Sequence, residues 1–199
     1  MKNLTRLFTA CTVVLTMQAQ AQKAAEKSTT STPSFITAVE KILGDFPFNY
    51  KHISGELVLA EGDFERYAST VRLPGSTNCE VGLYHSALDT TASWQATMLQ
   101  SEDFGKASKE YKRLYQQLKN CRLKMVDGSA YYLTGDYDPA SEEKDFVVTT
   151  FTIQTADERY RNFKVELEML YRLDGWLINI NMISRKKDSD MRPDWMETK

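Results

Sequence analysis

The stretch Leu167-Glu168-Met169-Leu170-Tyr171-Arg172-Leu173-Asp174-Gly175-Trp176-Leu177-Ile178-Asn179-Ile180-Asn181-Met182 decides the fold class. Both arms alternate. Asp174-Gly175 between them is the dipeptide favoured in two-residue type I′ hairpin turns, where both central residues take positive φ. Such a turn pairs Leu173 with Trp176, Tyr171 with Ile178, Met169 with Ile180 and Leu167 with Met182. All eight residues are apolar and fall on one face. The other face pairs Arg172 with Leu177, Leu170 with Asn179 and Glu168 with Asn181. A slip of one residue would bury the charges, so the hairpin has a specified sidedness. Glu166 and Glu168 share their face with Lys164 and Arg172, which reads as a solvent-facing charge ladder.

Working outward, further strands are expected over residues 55–60, 64–73, 79–86 and 91–99, then 123–126, 129–134 and 144–155. In the fourth, Ala92, Trp94, Ala96 and Met98 alternate with Thr91, Ser93, Gln95 and Thr97. Two helices are expected. The first opens at Thr32-Pro33, an N-cap followed by proline at the first helical position, and carries Phe35, Val39, Ile42, Leu43 and Phe46 at helical spacing to a stop at residues 44–47. The second spans about residues 101–121 with Ser101 as N-cap. Its apolar stripe includes Phe104, Ala107, Tyr111, Leu114, Leu118 and Cys121, with Lys106, Lys109, Lys112 and Lys119 off it.

These elements give an α+β fold, an antiparallel sheet with two packing helices, over residues 33–184. The order reads helix, four strands, helix, then four or five strands, so a tandem helix-plus-four-strand duplication with halves 33–100 and 101–184 is expected. In element order alone each half is like a cystatin-type unit. No specific family is indicated, and element order by itself implies no function.

The ends read differently. Lys2 and Arg6, an uncharged apolar run over residues 7–17 and Ala19-Gln20-Ala21 form a secretory signal peptide over 1–21, cleaved before Gln22. The run is shorter than the roughly 20 apolar residues that span a bilayer. The export destination is the periplasm or the extracellular space. Residues 22–32 form a flexible leader, and 185–199 a polar tail. No later segment is long and apolar enough to be a transmembrane helix. With 25 basic against 27 acidic residues in 199, the chain lacks the charge excess on which phosphate-driven nucleic-acid binding rests.

Of three cysteines, Cys11 lies in the signal. Cys79 and Cys121 remain for an oxidising compartment, which predicts a disulfide between strand and helix. Its loop would be worth about 4 kcal/mol of chain entropy.

Chemical signatures are sparse. There is no G-x-S-x-G, HExxH, CxxC, Walker or G-x-G-x-x-G pattern, so no cofactor and no metal is expected. The loop Asp136-Tyr137-Asp138-Pro139 opens like a calcium loop but lacks glycine at its sixth place and Glu at its twelfth. His52 and His85 are the two histidines. Were the chain catalytic, His85 would be the base, Asp89 its orienter and Tyr84 a hydrogen-bonding neighbour. Phe48, Tyr50 and Trp195 are candidates for the rim of a binding surface.

Two functional classes follow. The first is an exported, non-catalytic binding protein whose partner is another protein or a small apolar ligand. The second is a small enzyme or ligand carrier with a pocket between curved sheet and helix. A closed apolar cavity holding a perturbed acid or base favours the second; a filled core with exposed aromatic surface favours the first.

Overall fold

A computed structural model describes residues 34–87, 90–173 and 175–185. The signal segment, the leader, Thr32-Pro33, Asp89, Asp174 and Trp195 lie outside the described residues. Alternation with period two builds the strands, and an apolar stripe at period 3.6 builds each helix. In chain order the elements are α1 (Phe35–Asp45), β1 (Ser54–Glu61), β2 (Phe64–Ser69), β3 (Asn78–His85), β4 (Thr90–Ser101), α2 (Phe104–Lys119), β5 (Arg122–Lys124), β6 (Ala130–Thr134), β7 (Phe146–Ile153), β8 (Phe163–Arg172) and β9 (Gly175–Ser184). A 3-10 turn over Phe46–Phe48 follows α1.

All strand pairings are antiparallel. The order across the nine-stranded sheet is β1-β2-β3-β4-β9-β8-β7-β6-β5. Chain order therefore runs inward to the central β4–β9 pair from both edges.

One face of the sheet carries both helices. The register sets Tyr67, Val81, Trp94, Met182, Val165 and Phe151 in one row across six strands. From α2, Ala107, Tyr111, Leu114, Tyr115 and Leu118 are buried. Each large apolar side chain of that stripe contributes about 1.5–3 kcal/mol. The Tyr111 hydroxyl meets Thr149 Oγ1 on β7 at 2.8 Å and is 3.4 Å from the Leu167 carbonyl of β8. From α1, Phe35, Ala38, Val39, Ile42 and Leu43 are buried. Phe46 packs edge-on against Phe163, and the Tyr160 hydroxyl donates to the Leu43 carbonyl at 3.0 Å. Across the sheet, Trp94 Nε1 donates to Ser69 Oγ at 2.9 Å, tying β4 to β2.

The structure corrects several expectations. Ser34, not Thr32, caps α1, with its Oγ accepting from the Thr37 N–H. Asp103, not Ser101, caps α2 and accepts from the Lys106 N–H. The final hairpin closes at Arg172↔Gly175, so Tyr171 pairs with Trp176 and Met169 with Ile178. This register is two residues away from the expected one and leaves Leu173 fully exposed, at 102%. The reason is Gly175. It stands inside the strand at φ +106, where a Cβ would come within 2.7 Å of the Ser101 carbonyl oxygen. The glycine serves close packing against the β4–α2 junction. Leu167, Met169, Ile178 and Ile180 are nonetheless fully buried, because a shift of two keeps every side chain on its face.

The expected disulfide is absent. Cys79 and Cys121 are both free and buried. The Cys79 thiol donates to Ser76 Oγ at 3.2 Å, and the Cys121 thiol to the Gln117 carbonyl at 3.2 Å. Cys121 lies just past the end of α2 rather than within it. Among the described residues no helix is long and apolar enough to cross a membrane.

Candidate functional site

The segment between α1 and β1 builds the site. Pro47 sits in the 3-10 turn and stops the helix. Asn49 and Tyr50 then take positive φ, 54° and 57°, which reverses the chain. Two consecutive non-glycine residues in the left-handed region cost about 1–3 kcal/mol each. Several contacts hold them there. The Tyr50 ring is fully buried and its hydroxyl donates to the Met182 carbonyl at 2.9 Å. The Tyr50 N–H donates to the Asp45 carbonyl at 3.1 Å. Asp45, itself buried, accepts the His52 N–H at 3.0 Å through Oδ2 and meets His52 Nδ1 at 2.6 Å through Oδ1. The result leaves Phe48 53% exposed, its ring edge-on to His52. Tyr50 is thus a buried anchor of the loop and not a rim residue.

Beside this loop lies an open cavity of about 430 Å³, lined by Phe48, Asn49, Lys51, Tyr67, Leu83 and Thr90 among others. Its volume is in the range of small-molecule sites. Asn49 and Thr90 also border a second cavity of about 270 Å³, on the side of Pro47, Arg159 and Ser184. Both open at the end of the sheet where β3 turns into β4. The wall is mixed: Phe48, Leu83 and the Tyr67 ring are apolar, while Lys51 brings a cation.

A hydrogen-bonded chain continues from this wall. Tyr67 donates its hydroxyl to Glu65 Oε2 at 2.8 Å. The same oxygen meets His85 Nε2 at 3.2 Å, and His85 Nδ1 meets Thr90 Oγ1 at 3.1 Å. Register explains the grouping. Glu65 lies opposite Leu83, Tyr67 opposite Val81 and His85 opposite Thr90, so all share the helix-bearing face. The Tyr67 and His85 hydrogen bonds hold the Glu65 carboxyl below its ordinary value. Glu65 in turn raises the Tyr67 phenol.

Of the catalytic trio expected from sequence, His85 takes part in this chain, and Asp89 lies outside the described residues. Tyr84 alternates to the opposite face, opposite Phe64 and Thr91, and is 53% exposed. Tyr67 is the tyrosine of the chain instead, and Glu65 is the acid on the His85 ring. The spacing Glu65-x-Tyr67 carries a same-face signal for that pair, but nothing local to His85 points twenty residues back. In the acidic loop, Tyr137 packs on Tyr115 and Asp138 faces Lys144 Nζ at 3.5 Å. Among the described residues no group of three or more His, Cys, Asp or Glu is gathered for a metal.

The charge ladder on β8 is also revised. Glu166 is only 6% exposed and is paired with Arg185 Nη1 at 2.9 Å. Arg185 reaches back to the sheet with one guanidinium nitrogen while most of its side chain stays in solvent. No family model, curated protein or solved structure matches the chain.

Proposed function

We propose that this is an exported, non-catalytic binding protein that takes a small apolar ligand, or an apolar side chain of a protein partner, in the cavity beside Phe48. The observation that carries the reading is Phe48 itself. A large apolar ring stands half in solvent beside an open cavity of about 430 Å³, on a loop with two left-handed residues. Strained backbone held rigid by surrounding contacts is a common mark of a binding site. Lys51 on the same wall suits an anionic end on the ligand. The test is titration with the anionic apolar dye anilinonaphthalene sulfonate. Saturable binding should weaken at least tenfold, about 1.4 kcal/mol, in Phe48→Asp with circular dichroism unchanged. Equal binding by the folded variant refutes the reading. Export itself predicts a mature chain beginning at Gln22.

A second reading, a small enzyme, has one observation in its favour. Thr90, His85 and Glu65 stand in the order nucleophile, base and orienting acid at the rim of that cavity. Enclosure is what it lacks: the His85 and Glu65 side chains are 44% and 33% exposed, so water rather than fixed dipoles meets any developing charge. Loss of p-nitrophenyl acetate turnover in a folded His85→Ala protein would favour the enzyme.

We also infer that the chain arose as a tandem of two helix-plus-sheet units, the first with four strands and the second with five. Its support is the strand order, which descends outward from the β4–β9 pair on both sides.

A further inference from the structure

We propose that the sheet face opposite the helices carries a receptor for a primary ammonium group on an apolar body, centred on Glu168, Asn179 and Asn181. Register brings these residues together. Glu168 lies directly opposite Asn179, and Glu166 directly opposite Asn181, so two carboxylates and two carboxamides form four corners of one patch. Direct cross-strand partners have Cβ atoms about 4.5–5.5 Å apart. No helix among the described residues covers this face. Asn179 is only 5% exposed, yet its Oδ1 is buried without a hydrogen-bond partner. An unsatisfied buried acceptor costs about 1–3 kcal/mol. It points to a missing donor, and Glu168 beside it is an acceptor too when ionised.

The charge count selects the donor. Glu166 is matched by Arg185. Among the described residues Glu168 has no direct ion pair: the Asn181 side chain hydrogen-bonds it, and Arg185 and Arg172 act on it through space. Glu168 is therefore the carboxylate of the patch without a directly paired cation among the described residues, which suits a monocation rather than a divalent metal. An ammonium group brings three donors, one each for Glu168, Asn179 Oδ1 and a further acceptor. The next row of the same face is apolar: Leu177, Leu170 and the exposed Phe146 lie side by side. That row gives the alkyl body of the amine a surface to cover. Burial also pushes the Glu168 carboxyl up, the neighbouring Asn181 amide opposing it.

Calorimetric titration of the intact protein at pH 8 with n-hexylamine tests the proposal, with n-hexanol and calcium chloride as the comparison probes. Saturable binding of hexylammonium, at least tenfold tighter than hexanol and at least tenfold weaker in Glu168→Gln, is expected. The comparison of amine with alcohol needs no variant, so it stands even if Glu168→Gln misfolds. Equal affinity for hexanol, no binding of the amine, undiminished binding by a folded Glu168→Gln protein, or displacement of the amine by stoichiometric calcium each overturns it. Acetyl-Leu-Lys-Leu-amide identifies the source. Tighter binding than hexylamine assigns the receptor to a lysine of a polypeptide; weaker binding assigns it to a free amine.

Discussion

Tyr111→Phe isolates the hydrogen bonds by which α2 grips the sheet. Tyr111 is fully buried, its hydroxyl 2.8 Å from Thr149 Oγ1 and 3.4 Å from the Leu167 carbonyl. Thr149 is 1% exposed, and its Oγ1 already accepts the Asp138 N–H at 3.2 Å. Either hydroxyl can donate in the Tyr111–Thr149 contact, since each carries one proton and two acceptor sites. Removing the phenol oxygen changes little volume, since the ring stays. It leaves the Thr149 hydroxyl without its Tyr111 partner, where water does not reach. A hydrogen bond lost this way costs about 1–3 kcal/mol, and the middle of that range, about 2 kcal/mol, is expected here. Urea unfolding followed by circular dichroism should show the midpoint lowered by about 1 M at an unchanged slope of about 2 kcal/mol/M. Thr149→Val alone should also destabilise. The double variant should cost less than the sum by at least about 0.5 kcal/mol, because one substitution removes the other's stranded partner. A Tyr111→Phe protein within about 0.5 kcal/mol of wild type, or strict additivity in the cycle, would refute the reasoning.

Further outcomes follow from the same structure. Burial pushes the Cys121 thiol from 9.0, and the Tyr111 and Tyr160 phenols from 10.0, up to about 12. The unfolded chain therefore loses these protons first, so stability is full below about pH 9 and falls steadily from there to about pH 12; a flat profile across that window contradicts the assignment. Under denaturing conditions Cys79 and Cys121 should both alkylate without prior reduction, whereas in the native state both should react slowly; a mass change that needs a reductant shows a bridge instead. Gly175→Ala should destabilise by about 2–4 kcal/mol through its φ of +106 and the Ser101 carbonyl 2.7 Å from the added carbon. Gly44→Ala, in α1 with open space around the new Cβ, should instead stabilise by up to about 1 kcal/mol, and thermal melts of the two variants compare them directly.

The candidate site was legible only in pieces. Phe48 beside Pro47 and the scarcity of histidine single out two residues near the cavity: Phe48 lines it, and His85 is bonded to Thr90 of its wall. Tyr50 looked equivalent to Phe48 but lies on the opposite outcome of a chain reversal that takes two consecutive left-handed residues. Positive φ at a tyrosine has no local signature, because it is imposed by the packing of the ring and the bond to Met182. Glu65 is hidden for the same kind of reason: its partner His85 is a neighbour across β2 and β3, not along the chain.

Periodicity by itself located the strands and helices, though not their ends, and the apolar side of the central strands. Trp94, Ala96, Leu167, Met169, Ile178 and Ile180 are all fully buried, as their alternation requires. Side-chain facing repeats every two residues, so that information is local. For the same reason it is blind to a shift of two, and the Gly175 contact with Ser101 was needed to choose the hairpin register. Strand order is equally non-local: nothing within β4 or β9 names the other as its neighbour, yet their pairing joins the two halves. Tertiary structure alone decided that Glu166 and Asn179 are buried polar groups rather than a solvated ladder. Their exposure depends on Arg185 and the cross-strand neighbours, and these are chosen by closure of the whole sheet.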